Sequence, residues 1–206
     1  VLRRNRGNIV AYNMPAVFPF MENPEVIAEL EALADSAEVD QAIRTTAASM
    51  VESYAGEGAD NVLKYGSLEK ESGHGWTARE VHGAVSRSDA MAYDGAYALK
   101  CDIQHGNYHA TNKLSNLPSA SPYFVSARVY VPEEYADAAG WLEFTAEPKG
   151  RWNQLKWRLE PGQWHYVCAF MPAERDSLTI TARFAQFEGN AVAYIDDVQV
   201  FAIPAE

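Results

Sequence analysis

The feature that most limits what this chain can become is a change of period. From about Ser67 to the C-terminus, apolar and polar residues alternate, and Gly, Pro, Asn or Asp breaks the pattern every eight to twelve positions or so. Successive side chains on a strand point to opposite faces, so such a pattern builds antiparallel strands with one buried face, closed as a sandwich or barrel. The expected strands are Gly75–Val81, Tyr97–Gln104, His109–Leu117, Tyr123–Val131, Trp141–Glu147, Trp152–Leu159, Gln163–Phe170, Leu178–Phe187 and Ala191–Phe201. No strand–helix–strand alternation calls for a parallel sheet.

Upstream the pattern differs. Asn23-Pro24 reads as an N-cap with proline at the first helical position, and Val26, Ile27, Leu30 and Leu33 share one face, which predicts a helix over about 24–34. Asp35 with Glu38 is a capping-box pair, and Val39, Ile43, Ala47, Met50 and Tyr54 then recur at helical spacing until Gly56, which predicts a second helix over about 36–55. Residues 1–21 contain Pro15 and Pro19 among apolar residues and read as an extended arm. The expected organisation is therefore an arm (1–21), a helical segment (22–60) and a mainly β, jelly-roll sandwich (61–206).

Charge narrows the function. The chain carries 28 acidic residues against 17 basic ones, a net charge of −11, which argues against a nucleic-acid partner. The arm holds three arginines and no acid, whereas residues 22–60 hold ten acids and one arginine. An apolar, basic arm beside an acidic segment suits docking on a protein partner or on other copies of the chain, through residues 1–60. No apolar run approaches a bilayer span, so no membrane role is expected. Cys101 and Cys168 read as core residues or as one bridge between strands.

Within the β region four pieces occur in order: Lys70-Glu71-Ser72-Gly73-His74-Gly75-Trp76-Thr77, then Ala92-Tyr93-Asp94-Gly95-Ala96-Tyr97-Ala98-Leu99-Lys100, then Pro161-Gly162-Gln163-Trp164, then Ala193-Tyr194-Ile195-Asp196-Asp197-Val198. Over about 67–201 this resembles the calcium-containing β-sandwich carbohydrate-binding modules found beside xylanases and glucanases. The resemblance implies a structural calcium held by Glu71 and Asp197, with Asp89 and Asp94 as further oxygen donors. It also implies that Trp76 and Trp164 are core residues.

Strand phase points to a binding face. In Trp141–Glu147 the apolar phase is Leu142, Phe144 and Ala146, leaving Trp141 on the polar face; in Trp152–Leu159 it is Leu155, Trp157 and Leu159, leaving Trp152, Gln154, Lys156 and Arg158. A four-residue loop between these strands sets Glu143 opposite Lys156 and Trp141 opposite Arg158. With Arg128 and Tyr130 from the preceding strand, the candidate cleft is Arg128, Tyr130, Trp141, Trp152, Gln154 and Arg158. Rings for C–H patches and planar polar groups for hydroxyls are what a polysaccharide or cell-surface glycan would need. The same face would also serve as a solubility ladder, or as a seat for the helices. His105 and His109, adjacent acid pairs such as Asp196-Asp197, and the lack of nucleotide or nucleophile motifs give no catalytic set, so no enzyme is expected. The expectation is a non-catalytic glycan-binding module, extracellular or at a virion or cell surface. The alternative is a decoration protein of a virion or filament.

Overall fold

The computed structural model describes residues 21–55, 61–63, 66, 68–69, 75–78, 83–117, 123–138, 140–147, 156–171 and 176–202. The expected arm, up to residue 20, lies outside them. Helix α1 is Pro24–Asp35, helix α2 is Gln41–Ala55, and the strands are β1 (Trp76–Ala78), β2 (Gly83–Ser88), β3 (Ala98–Ser115), β4 (Tyr123–Tyr130), β5 (Trp141–Glu147), β6 (Lys156–Trp157), β7 (Trp164–Met171) and β8 (Ser177–Ala202). A 3-10 helix, Glu133–Ala138, separates β4 from β5.

The strands form two antiparallel five-stranded layers joined through β3 and β8. The first layer has the order β2, β3 (98–104), β8 (190–202), β4, β7, and the second β1, β3 (106–115), β8 (177–187), β5, β6. The β3–β8 ladder thus runs from Leu99↔Ile195 to Ser115↔Ser177 and passes from one layer to the other where its register slips between Gln104, Gly106 and Tyr108. Opposite that slip, Gln186 and Gly189 take left-handed backbone (φ 58° and 80°), the kind of bend that lets a strand turn a corner. What reads as four strands in the sequence is therefore two bent ones.

Between the layers lie Leu99, Ile103, Val129 and Ile195 from the first and Tyr108, Leu142, Phe144, Ile180 and Phe184 from the second, all essentially buried. Trp157, opposite Leu142, is in this core as its phase predicts. Cys101 and Cys168 are both buried and free, and burial pushes the Cys101 thiol up to about 12.

Helix α1 starts as expected: the Asn23 side chain accepts from the Glu25 amide at 2.9 Å. Helix α2 does not start at 36. The chain turns through 36–40, and the first helical bond, Arg44 N–H to the Asp40 carbonyl at 3.0 Å, makes Asp40 the N-cap in place of Asp35. The two helices lie on the outward side of β4 and β7: Ser53 of α2 bonds Ser126, and the Tyr166 hydroxyl at 2.7 Å. Met21, at the end of the expected arm, is wholly buried in the same core. The apolar stripe of the helical segment is thus covered, at least in part, by the chain's own sandwich.

Candidate functional site

Each layer of a sandwich has one face turned away from the core. On the second layer that face is assembled by register: Glu143↔Arg183 and Thr145↔Thr181 across β5 and β8, His109↔Arg183 and Thr111↔Thr181 across β3, and Thr77↔Thr111 at the β1 edge. The expected pairing of Glu143 with Lys156 is present. Glu143 is only 3% exposed, which an isolated carboxylate could not tolerate. Its partners are the Arg183 guanidinium (Nη1 to Oε2, 2.6 Å), the Trp141 indole N–H (to Oε1, 3.3 Å) and the Lys156 ammonium, 3.8 Å away. The Lys156 Nζ also sits 4.5 Å from the centre of the half-buried Trp141 ring. The Arg183 Nε–H is buried without an acceptor among the described residues, so the guanidinium is not saturated. Beyond this cluster Thr77 and Thr111 share a hydroxyl contact of 3.1 Å.

The six residues singled out by strand phase are not one site. Trp141 is on this face, and the exposed Arg158 follows β6 beside it; Trp152 and Gln154 lie outside the described residues. Arg128 and Tyr130 belong to the first layer, on the opposite side of the molecule. Arg128 is 7% exposed: it donates to the Tyr54 carbonyl of α2 at 2.8 Å and lies 4.6 to 4.9 Å from the rings of Tyr54, Tyr93 and Tyr166. It fastens the helices to the sheet. Alternation tells which residues of a strand share a face but not which layer the strand joins, and both outward faces of a sandwich carry the same polar phase. Trp164 likewise leaves the core to which its motif assigned it and stands half-buried on the outer face of the first layer, against Tyr130 and Tyr93.

At the sandwich rim, Asp89 and Asp94 are exposed, Asp197 is half-buried with φ 45°, and Glu71 is outside the described residues. Two other carboxylates, outside the expected ligand set, hold the 93–97 turn. Asp196 Oδ2 accepts from the Tyr93 and Asp94 amides (2.7 and 3.2 Å) and its Oδ1 from that of Asp197 (2.7 Å); Glu69 Oε1 accepts from the Ala96 and Tyr97 amides (2.9 and 3.0 Å). Glu69 lies two residues before Glu71 in the sequence, outside the motif that singles out Glu71. Burial, opposed by those three amides, pushes the Asp196 pKa up to about 6. Burial also raises Asp197, with the charge of Asp94 adding to it, against a bond from Gln199. Among the described residues no three acidic, His or Cys side chains gather to hold a metal. No described helix is long and apolar enough to cross a membrane.

Comparison with known proteins places this architecture. No protein-family model and none of the curated proteins match the chain. Among solved structures, the C-terminal family 22 carbohydrate-binding module of Clostridium thermocellum Xyn10B superposes with TM-score 0.55 at 17% identity, covering 72% of this chain and 99% of that one. The tandem family 22 modules of Paenibacillus barcinonensis Xyn10C give 0.55 at 19%, covering 68% and 45%. A family 61 module solved with β-1,4-galactotriose gives 0.51 at 18%, covering 70% and 99%. The fold is that of the β-sandwich carbohydrate-binding modules.

Proposed function

We propose that the chain is a non-catalytic glycan-binding module whose cleft is the outer face of the second layer, centred on Trp141, Glu143, Lys156 and Arg183. The observation that carries the reading is the Glu143 cluster: a buried carboxylate holds a guanidinium, an indole and an ammonium in fixed positions on an outward face. Such a cluster offers preset donors for sugar hydroxyls beside a ring for C–H contact. Arg158, Trp152 and Gln154 are proposed as its flank. The neighbouring folds include modules solved with, or named for binding, galactotriose and xylan, which supports a β-linked polysaccharide as the ligand class. Titration of the whole chain with xylohexaose and β-1,4-galactotriose tests this. Trp141→Ala should weaken binding at least tenfold while the chain stays folded with only a small loss of stability, and equal binding by the variant would refute the assignment.

Two finer readings go with it. Calcium needs 6 to 8 oxygens, and the facing acids Asp94 and Asp197 would be relieved by a cation, with turn carbonyls and Glu71 proposed to complete the shell. A chelator should then lower the melting temperature; an identical melt of metal-stripped and calcium-loaded protein removes the ion. The arm up to residue 20, short of the core residue Met21, is proposed to attach the module to a larger protein at the cell surface or outside the cell, supported by its three arginines beside the acidic 22–60 segment.

A further inference from the structure

The opposite face of the sandwich carries a second arrangement that the cleft does not use. Directly opposed positions on four neighbouring strands of the first layer read Lys100, Tyr194, Tyr130, Trp164, with Tyr93 packed on the far edge of Trp164. The ring centres are 5.7 Å (Tyr93–Trp164), 5.3 Å (Trp164–Tyr130) and 6.4 Å (Tyr130–Tyr194) apart. At four strands spaced by about 4.8 Å the row is roughly 14 Å long; Tyr194, 7% exposed, forms its floor, and the half-buried Tyr130 and Trp164 with the exposed Tyr93 are the rings a sugar would touch. The rings are inclined to each other by 70°, 39° and 52°, so they form steps and not one flat platform. Tyr93, 45% exposed, is the large apolar side chain most open to solvent among the described residues.

At the Lys100 end the row opens into a cavity of about 380 Å³. Its polar walls are Lys100 and Asp102, paired at 2.7 Å and each about one-third exposed, with Gln104, Asn190 and Tyr135 of the 3-10 helix. Two amides, a phenol and an ion pair are donors and acceptors for hydroxyl groups, set at the end of a stepped aromatic row. Because Asp102 already neutralises Lys100, and Glu133 and Glu134 open the adjoining 3-10 helix, the site offers no net attraction to a carboxylate or sulfate.

We propose that this face is a second, independent saccharide site for neutral oligosaccharides, so that one chain engages two glycan segments on opposite sides. It shares the ligand class of the Trp141 cleft but none of its residues.

The test follows indole N–H resonances of the full chain titrated with xylohexaose and β-1,4-galactotriose. Both Trp141 and Trp164 are expected to shift in the wild type. The Trp164 shift should persist in Trp141→Ala. It should be lost, or its midpoint raised at least tenfold, in Lys100→Met with Asp102→Asn, a near-isosteric change at partly exposed positions. Asn190→Ala, at an exposed position, should weaken the same response and guards against misfolding of the double variant. If only Trp141 responds, the second site is wrong and the cleft stands. If only Trp164 responds, the cleft is wrong and the second site stands. If neither moves, both fall. An undiminished Trp164 response in both pocket variants, or tighter binding of an oligogalacturonate than of the neutral sugars, also overturns the inference.

Discussion

Glu143 shows how a single side chain can be a structural commitment and a recognition device together. Removing Glu143 leaves the partly buried Arg183 guanidinium and the Trp141 indole without their acceptor, so Glu143→Ala should cost about 1 to 3 kcal/mol in a denaturant melt, whereas Glu143→Gln, which keeps the shape, should cost less. Equal costs would mean that the charge does not matter to the fold. Trp157→Ala should cost about 3 to 5 kcal/mol as a buried aromatic, while Trp141→Ala, half-exposed on the face above it, should cost far less. The reverse order would show the strand phase to be inverted. Gly95, at φ 69°, is constrained twice: a side chain there adopts left-handed backbone and meets the Glu69 carboxylate 2.5 Å from its Cβ. Gly95→Ala should therefore loosen the 93–97 turn and destabilise the chain. At this scale the sequence is readable where burial alternates, as at Trp157, and unreadable where a turn is held by a side chain outside any motif or strand pattern, as by Glu69.

Among the elements, the attachment of the helices is the one that should respond to pH. Glu22, just before α1, accepts from the Tyr166 amide at 2.8 Å and lies 3.5 Å from His165 Nδ1. Burial opposes the charge on His165, but its bonds to Glu22 and to the Glu160 carbonyl prevail and raise its pKa; burial likewise works against Glu22, whose bonds from His165 and Tyr166 prevail and lower it. A raised histidine stabilises fully below its unfolded value of 6.5 and loses that contribution as pH rises through the folded value; a lowered carboxylate stabilises above 4.5 and loses it on acidification. Asp196, raised to about 6, also weakens the fold as pH climbs through that value. The Asp196 contribution, full below 3.8, is lost by about pH 6 and that of His165 is lost above 6.5, whereas that of Glu22 is present above 4.5, so the melting temperature should peak near pH 4.5 and decline on the alkaline side. His165→Gln should flatten the decline on the alkaline side, and a melting temperature that rises steadily from pH 5.5 to 8 would contradict this account. Element boundaries follow the same logic of local against distant causes. Trp141–Glu147 matches its strand because alternation and turn residues agree there. Strand β2 escaped notice because Gly83–Ser88 has little apolar content, and its place is set by pairing with β3.

For the whole molecule, the layer to which each strand belongs decides which residues can meet a ligand together, and this was the part least legible in the sequence. Leu178–Phe187 and Ala191–Phe201 read as separate strands because Gly189 and Asn190 look like a turn, yet they are halves of β8 bent between layers. The same bend in β3 divides Lys100, on one outward face, from Thr111 on the other. A pairing that commits one half-strand to each layer ties the two outer faces together from the start.

That shared ladder also sets how the chain must find its fold. Leu99 meets Ile195 and Ser115 meets Ser177, so the β3–β8 ladder that both layers require is assembled from segments far apart along the chain. The entropy of closing such a loop has to be met before either layer gains its burial, which places refolding in the millisecond-to-second range of strand-dominated domains. Until β8 arrives, β3 and β4 each present an unpaired edge, so dilution from denaturant at high protein concentration should yield aggregate in proportion to the time that edge stays open.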